Sequence, residues 1–167
     1  QSAYAAVVML AHGQYVGATS RPWEQYRRRP GERLGHRWRI PPAGGRGVRH
    51  VLVDVNYWKS FVYSRLATPM GEPGCLSLFG SKPETHELFA DHLTAEYPVK
   101  VQAKGRTVDE WKLKASKPDN HWFDCLVGCA AAASMEGAAT VGMRQTKPAR
   151  QKKRLKLSEL QRRRRRL

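Results

Sequence analysis

Acidic residues are scarce in this chain of 167 residues: 14 Asp and Glu stand against 30 Lys and Arg, a formal net charge of +16. That imbalance works against cationic partners and suits polyphosphates, whose neutralisation releases condensed counterions. Cysteine is scarcer still. Cys75, Cys125 and Cys129 make no C-x-x-C, and three thiols cannot all pair, which excludes a disulfide scaffold and a zinc ribbon. Cys125 and Cys129, four residues apart in an alanine-rich run, read as small apolar thiols on a buried helix face of a reduced, cytoplasmic protein. No apolar run approaches the roughly 18 residues of a spanning helix, so no membrane partner is expected. The start, Gln1-Ser2-Ala3-Tyr4, has neither an initiator methionine nor a basic-then-apolar leader, as expected of a chain cut from something longer. Nucleotide loops are missing too: Gly44-Gly45-Arg46-Gly47 has no helix after it and no Lys-Ser/Thr. No nucleophile elbow or reactive Cys/His signature is readable.

Hydrophobic residues make up 41% of the chain, enough for one packed core. The charge divides the chain. Residues 144–167 hold twelve bases and the single acid Glu159, a net +11. Residues 1–50 hold nine arginines against Glu24 and Glu32, a net +7, and residues 51–143 come to −2. The expected organisation is a folded unit over 1–143 followed by a basic tail over 144–167. A run of like charge repels itself, so the tail is expected to be disordered or to fold on a polyphosphate, unless it serves only solubility or localisation. In the first segment Arg27, Arg28, Arg29, Arg37 and Arg39 are interleaved with Trp23, Tyr26 and Trp38. Guanidinium groups beside aromatics suit phosphate and base contacts, and equally suit a surface whose long side chains cover apolar neighbours.

Hydrophobic periodicity outlines an α/β chain. Ala5–Leu10 reads as a buried strand, residues 13–35 as a long loop, Arg37–Ile40 as a short strand stopped by Pro41-Pro42, and 43–47 as a flexible turn. His50–Val55 is the clearest strand. Over Asn56–Leu66 the period changes, with Trp58, Phe61, Val62 and Leu66 on one helical face. Cys75–Phe79 reads as a strand, Thr85–Tyr97 as a helix ended by Pro98, and Val99–Lys114 as a hairpin turning at Lys104-Gly105. Asp119 or Asn120 then caps a helix over His121–Met135, whose small apolar residues predict close packing on a sheet.

The opening of that last helix has the most chemical content. His121 and Asp124 are three residues apart and share a helix face. An imidazole nitrogen and a carboxylate oxygen so placed suit a divalent metal, and a bound Mg2+ or Mn2+ would assist phosphodiester hydrolysis. The plain alternative is a capping carboxylate beside an ordinary histidine. Two ligands are too few, and Asp54, closing an apolar strand, is the natural further acid, unless it only caps the helix that follows. Lys59, one turn into that helix, either reaches a phosphate or pairs with Asp54. His12 and His50 are expected to be structural.

The blocks from Val53 to Leu66, Pro73 to Phe79, His92 to Tyr97, Gly105 to Lys112 (with DEWK) and Asn120 to Leu126 (NHWFDCL) keep a fixed order. Together they resemble the C-terminal nuclease region of lambda-type phage terminase large subunits, over roughly residues 1–137. The resemblance implies a partial RNase H-like mixed sheet with flanking helices. It implies a Mg2+- or Mn2+-dependent endonuclease that cuts concatemeric double-stranded DNA during packaging. It also implies an oligomeric motor in the host cytoplasm, partnered by the terminase small subunit and the portal. In that family the last metal ligands open the C-terminal helix, a pattern that falls on His121 and Asp124. The family's ATPase half and its earlier acidic strand ends are expected upstream of Gln1, so this stretch alone is not expected to be a competent enzyme.

Catalytic His121, Asp124 and Asp54, with Lys59, Arg27, Arg28, Arg29, Arg37 and Arg39 on DNA, make the first hypothesis. A non-catalytic DNA-binding remnant of a prophage terminase, acting through its basic segments, is the second. A tail that docks an acidic protein partner is the third.

Overall fold

The structure, a computed structural model, describes residues 9–42, 48–117 and 119–138. Among them a four-stranded mixed sheet, a separate hairpin and three helices make an α/β unit, the architecture expected from the sequence. Strands β1 (Leu10–Gln14) and β4 (His50–Asp54) run parallel, with Gly13 opposite Val53. Strand β3 (Trp38–Ile40) pairs antiparallel with β4, Trp38 opposite Val53, and β2 (Arg33–Gly35) closes the order β1-β4-β3-β2. Alternation sets the two faces. Trp38, Ile40, Val51 and Val53 point into the core, while Arg39 and Leu52 face the loop over residues 21–30.

Asp54 ends β4 and starts α1 (Val55–Leu66) by accepting the Tyr57 N–H at 3.2 Å. This is the cap read as the alternative for Asp54, and it fixes the angle at which the helix leaves the sheet. Trp58 and Val62 bury the expected face, with Phe61 and Leu66 packed at its edge. The β2–β3 turn puts Arg37 at φ +57°, a left-handed conformation. It is held there because the Arg37 carbonyl accepts from both the Asp54 N–H (3.0 Å) and the Trp58 indole (3.1 Å).

Strands β5 (Glu96–Ala103) and β6 (Arg106–Leu113) form the expected hairpin, turning at Lys104 and Gly105, both at positive φ. Positive φ at both central residues matches the twist of the strands. The hairpin is fastened to α1 by Trp111, whose N–H donates to Asn56 Oδ1 and whose indole donates to Ser60 Oγ. Arg106 grips the carbonyls of Gly17, Ala18 and Ser20, tying the segment after β1 to the hairpin. Helix α3 (His121–Met135) has the expected bounds and buries Phe123, Val127 and Ala131 at successive i+4 positions. Phe123 meets Trp111, and α3 lies along α1.

Several expectations change. The described first strand starts at Leu10, whereas the apolar run expected to form it starts at Ala5; residues 1–8 lie outside the described residues, as do the 43–47 turn and the 144–167 tail. The 13–35 segment contains a 3-10 turn (Trp23–Gln25) and β2. Residues 75–79 are irregular: the Cys75 N–H donates to the Glu72 carbonyl, the Leu76 N–H to the Arg65 carbonyl, and the Phe79 carbonyl is hydrogen-bonded to His86 Nε2. The helix expected over Thr85–Tyr97 is shorter: a 3-10 turn (Pro83–His86) leads into α2 (Glu87–Leu93), and Glu96 and Tyr97 belong to β5. Pro98 restricts Tyr97 to extended backbone, so the strand begins before the proline. Cys125 and Cys129 are exposed, because the Phe123–Val127–Ala131 stripe takes the inner face of α3. Nor does α3 lie tightly on a sheet: a Cβ added at Gly128 would meet nothing within 4 Å.

Candidate active site at the start of the last helix

Four elements converge where α3 begins. Lys59, in the second turn of α1, is 8% exposed. Its ammonium lies 2.6 and 2.8 Å from the two Glu96 carboxylate oxygens at the start of β5. It also lies 3.0 Å from Asp124 Oδ1, one turn into α3. Asn120, just ahead of α3, donates its side-chain amide to Glu96 instead of capping the helix. The Phe123 ring, 5.6 Å from the ammonium, gives the charge an aromatic wall. The Glu96 side chain is 5% exposed and that of Asp124 51%, so one carboxylate is internal and the other faces outward.

His121 opens α3 with an exposed side chain, its Nε2 3.7 Å from Asp119 Oδ1. His121 and Asp124 therefore take different partners from one turn of helix. Beside them His92 of α2 stacks on Trp122 at 4.9 Å and 17°, which docks α2 against the start of α3. Among the described residues no group of three or more His, Cys, Asp or Glu gathers for a metal. Asp124 offers one hard carboxylate oxygen at the surface, and the Lys59 ammonium lies against it, so the described residues alone do not make up a metal's ligand set.

Asp54 belongs to a different cluster. Besides its cap to Tyr57, it accepts from Arg37 Nη1 at 3.2 Å, and Arg37 reaches Glu24 at 2.6 Å. Burial pushes the Asp54 carboxyl above its ordinary value, against the opposing pull of the Tyr57 N–H and Arg37. These groups line a cleft of about 360 Å3 that also reaches Asp109 and Arg106. Among the described residues no hydrogen bond or ion pair joins Asp54 to His121 or Asp124.

The arginines divide by partner. Arg39 is buried, ion-paired to Glu32 at 2.7 Å and facing the rings of Trp23 and Tyr26. Burial raises the Glu32 carboxyl, but the Arg29 N–H and the Arg39 guanidinium hold it below its ordinary value. Arg27, Arg28 and Arg29 are exposed and, with Arg21 and Tyr26, rim a cleft of about 520 Å3 on the outer face of β3 and β4. Sequence reasoning missed Glu96, because it was read into a helix. The available signal was the alternation Tyr97-Pro98-Val99-Lys100-Val101, which already runs as a strand from Glu96.

A mixed α/β unit with an acid–lysine cluster at the head of its last helix is the class of domain these observations define. The family model for the endonuclease domain of terminase large subunit gpA matches residues 8–146, most of the chain. The chain belongs to that family. A search of curated proteins found no match, and neither did a search of solved structures.

Proposed function

We propose that this domain contributes the last-helix side of a divalent-metal-dependent endonuclease centre, and that the parent terminase large subunit uses it to cut concatemeric double-stranded DNA during packaging. The observation that supports this reading best is Asp124: a half-exposed carboxylate at the start of the last helix, held by a cation, in a chain of the terminase endonuclease family. Asp124 would hold Mg2+ or Mn2+. His121, whose exposed side chain lies between Asp119 and the His92 ring, would join it by rotating about its side-chain bonds. When bound, the metal supplies an activated water and charge neutralisation at the leaving oxygen.

The chain's own residues do the rest. Glu96 and Lys59 orient the Asp124 carboxylate from inside the fold. Arg27, Arg28 and Arg29 hold the DNA backbone from the outer face of the sheet, contacts that fix position and carry no sequence information. Asp54, engaged by Tyr57 and Arg37, shapes the β4–α1 junction and takes no part in the chemistry. The terminase small subunit and the portal are the protein partners this reading implies.

The test is DNA cleavage with Mg2+ by a terminase large subunit carrying this domain. Asp124→Ala is expected to abolish cleavage while leaving DNA binding within about twofold of the parent. Cleavage that survives the substitution overturns the reading. It would favour a domain that only holds DNA, a role to which the exposed arginine run and the net charge of +16 are suited.

A further inference from the structure

The cleft on the outer face of β3 and β4, about 520 Å3 in volume, is apolar at its floor and cationic at its rim. Leu52, opposite Arg39 in the β3–β4 register, and Tyr26 are both half-buried and lie at the floor. Arg21, Arg27, Arg28 and Arg29 are exposed around them. The acid that lines the cleft, Glu32, is 3% exposed and already neutralised. Arg39 Nε lies 2.7 Å from one of its oxygens, and the other accepts from Arg39 Nη2 at 3.0 Å and from the Arg29 N–H at 2.9 Å. Among the described residues none of the four rim arginines is ion-paired to a carboxylate, so their charge faces whatever enters the cleft. Tyr26 is held in place at the floor. Its N–H donates to the Trp23 carbonyl at 3.2 Å, the Trp23 ring lies 6.0 Å away, and the buried Arg39 guanidinium lies 5.3 Å from its centroid. A ring fixed before a ligand arrives loses little freedom when the ligand stacks on it.

Floor and rim together distinguish two kinds of DNA. In a duplex the bases are stacked inside, so its backbone would lie across the rim arginines and leave the floor empty. An unpaired base has a free π-face, and single-strand sites join stacking on an aromatic ring to cationic contacts along the backbone. We propose that this cleft holds an unpaired nucleotide of single-stranded DNA, its base against Tyr26 and Leu52 and its flanking phosphates on the rim arginines. Arg21, exposed and 5.7 Å from the Tyr26 ring, is the residue placed to close over the base. This rests on the reading of Arg27, Arg28 and Arg29 as DNA contacts and adds to it the strandedness of the DNA taken there.

The experiment uses the full chain, with fluorescence anisotropy on a short single-stranded oligothymidylate and on a duplex of equal length, at several salt concentrations. Tyr26→Ala is expected to weaken single-strand binding about tenfold, the worth of one base–aromatic stack, and to leave duplex binding within about twofold of the parent. Tyr26→Phe, which keeps the ring, is expected to bind both DNAs as the parent does. Tyr26→Ala should leave the single-strand salt slope unchanged, since stacking releases no counterions, whereas replacing Arg27, Arg28 and Arg29 together by Ala should lower it. In the unaltered chain, oligothymidylate carrying iododeoxyuridine is expected to photo-crosslink to Tyr26, identified by mass spectrometry of the peptides, a readout that needs no variant to fold. Tyr26→Ala that weakens both DNAs alike, or neither, overturns the proposal, as does a crosslink that avoids Tyr26; duplex binding that depends on the three arginines then leaves their backbone role standing. Binding of both DNAs that is indifferent to the three arginines overturns the proposal and that role together.

Discussion

Lys59 and Glu96, 37 residues apart in sequence, form a bidentate ion pair at 2.6 and 2.8 Å that locks helix α1 to the first residue of the hairpin. Removing one charge from such a buried pair strands the other. Lys59→Met is expected to lower stability by about 3–5 kcal/mol. The double variant Lys59→Met/Glu96→Gln should regain most of that loss, since it buries no lone charge. Urea unfolding of the three proteins measures the difference, and equal stability of the single and double variants would contradict the buried pairing.

Asp54 gives a pH-dependent prediction. Burial holds its folded-state carboxyl above the ordinary value, so the native protein binds that proton more tightly than the unfolded chain. Its contribution is most favourable below the ordinary carboxylate value and is lost as pH rises through the raised one. Asp54→Asn keeps an oxygen for the Tyr57 cap and removes the buried charge, and Arg37 retains Glu24. The variant is expected to melt at or above the parent temperature at pH 7, with the gap closing as pH falls toward about 4. Asp54→Ala, which loses the cap, should be about 1 kcal/mol less stable than Asp54→Asn at pH 7.

The outer arginines should contact phosphate and not bases. Replacing Arg27, Arg28 and Arg29 together by Ala is expected to weaken binding to duplexes of unrelated sequence equally. The slope of log affinity against log salt should fall by about 2–3, close to one per lost phosphate contact. Fluorescence anisotropy at several salt concentrations measures it. Arg39→Ala should act differently, through stability, because it leaves Glu32 buried without its ion pair.

Core packing at α3 rests on one ring. Phe123 is 0% exposed and meets Trp111, so Phe123→Ala is expected to cost about 3–5 kcal/mol in a denaturant titration. On the opposite face, Cys125 and Cys129 should both react with a water-soluble disulfide reagent in the folded protein, ahead of the partly covered Cys75. Thiols that react only on unfolding would place this helix the other way round.

The sequence was most legible where a local pattern and its stop signal agreed. His50–Asp54 alternates and then meets a capping acid; the hairpin alternates around Lys104-Gly105; the last helix opens after Asn120 and stays helical for 15 residues. It was least legible over residues 75–97. There the apolar residues have no consistent period, and the helix signal ran on into a strand that Pro98 belongs to. Glu96 was lost with that boundary, and with it the inner half of the site.

The sequence by itself determined the α/β class, the hairpin, the last helix with Asp124 in its first turn, and the strongly basic balance. Those follow from side-chain period, capping and charge, which act between near neighbours. Only the tertiary structure decided what Lys59 does. Charge and helix position left it equally able to reach a phosphate or to pair with Asp54. The packing of α1 against β5 and α3 brought Glu96 and Asp124 to its ammonium, because a buried lysine is tolerated only where carboxylates from distant parts of the chain meet it.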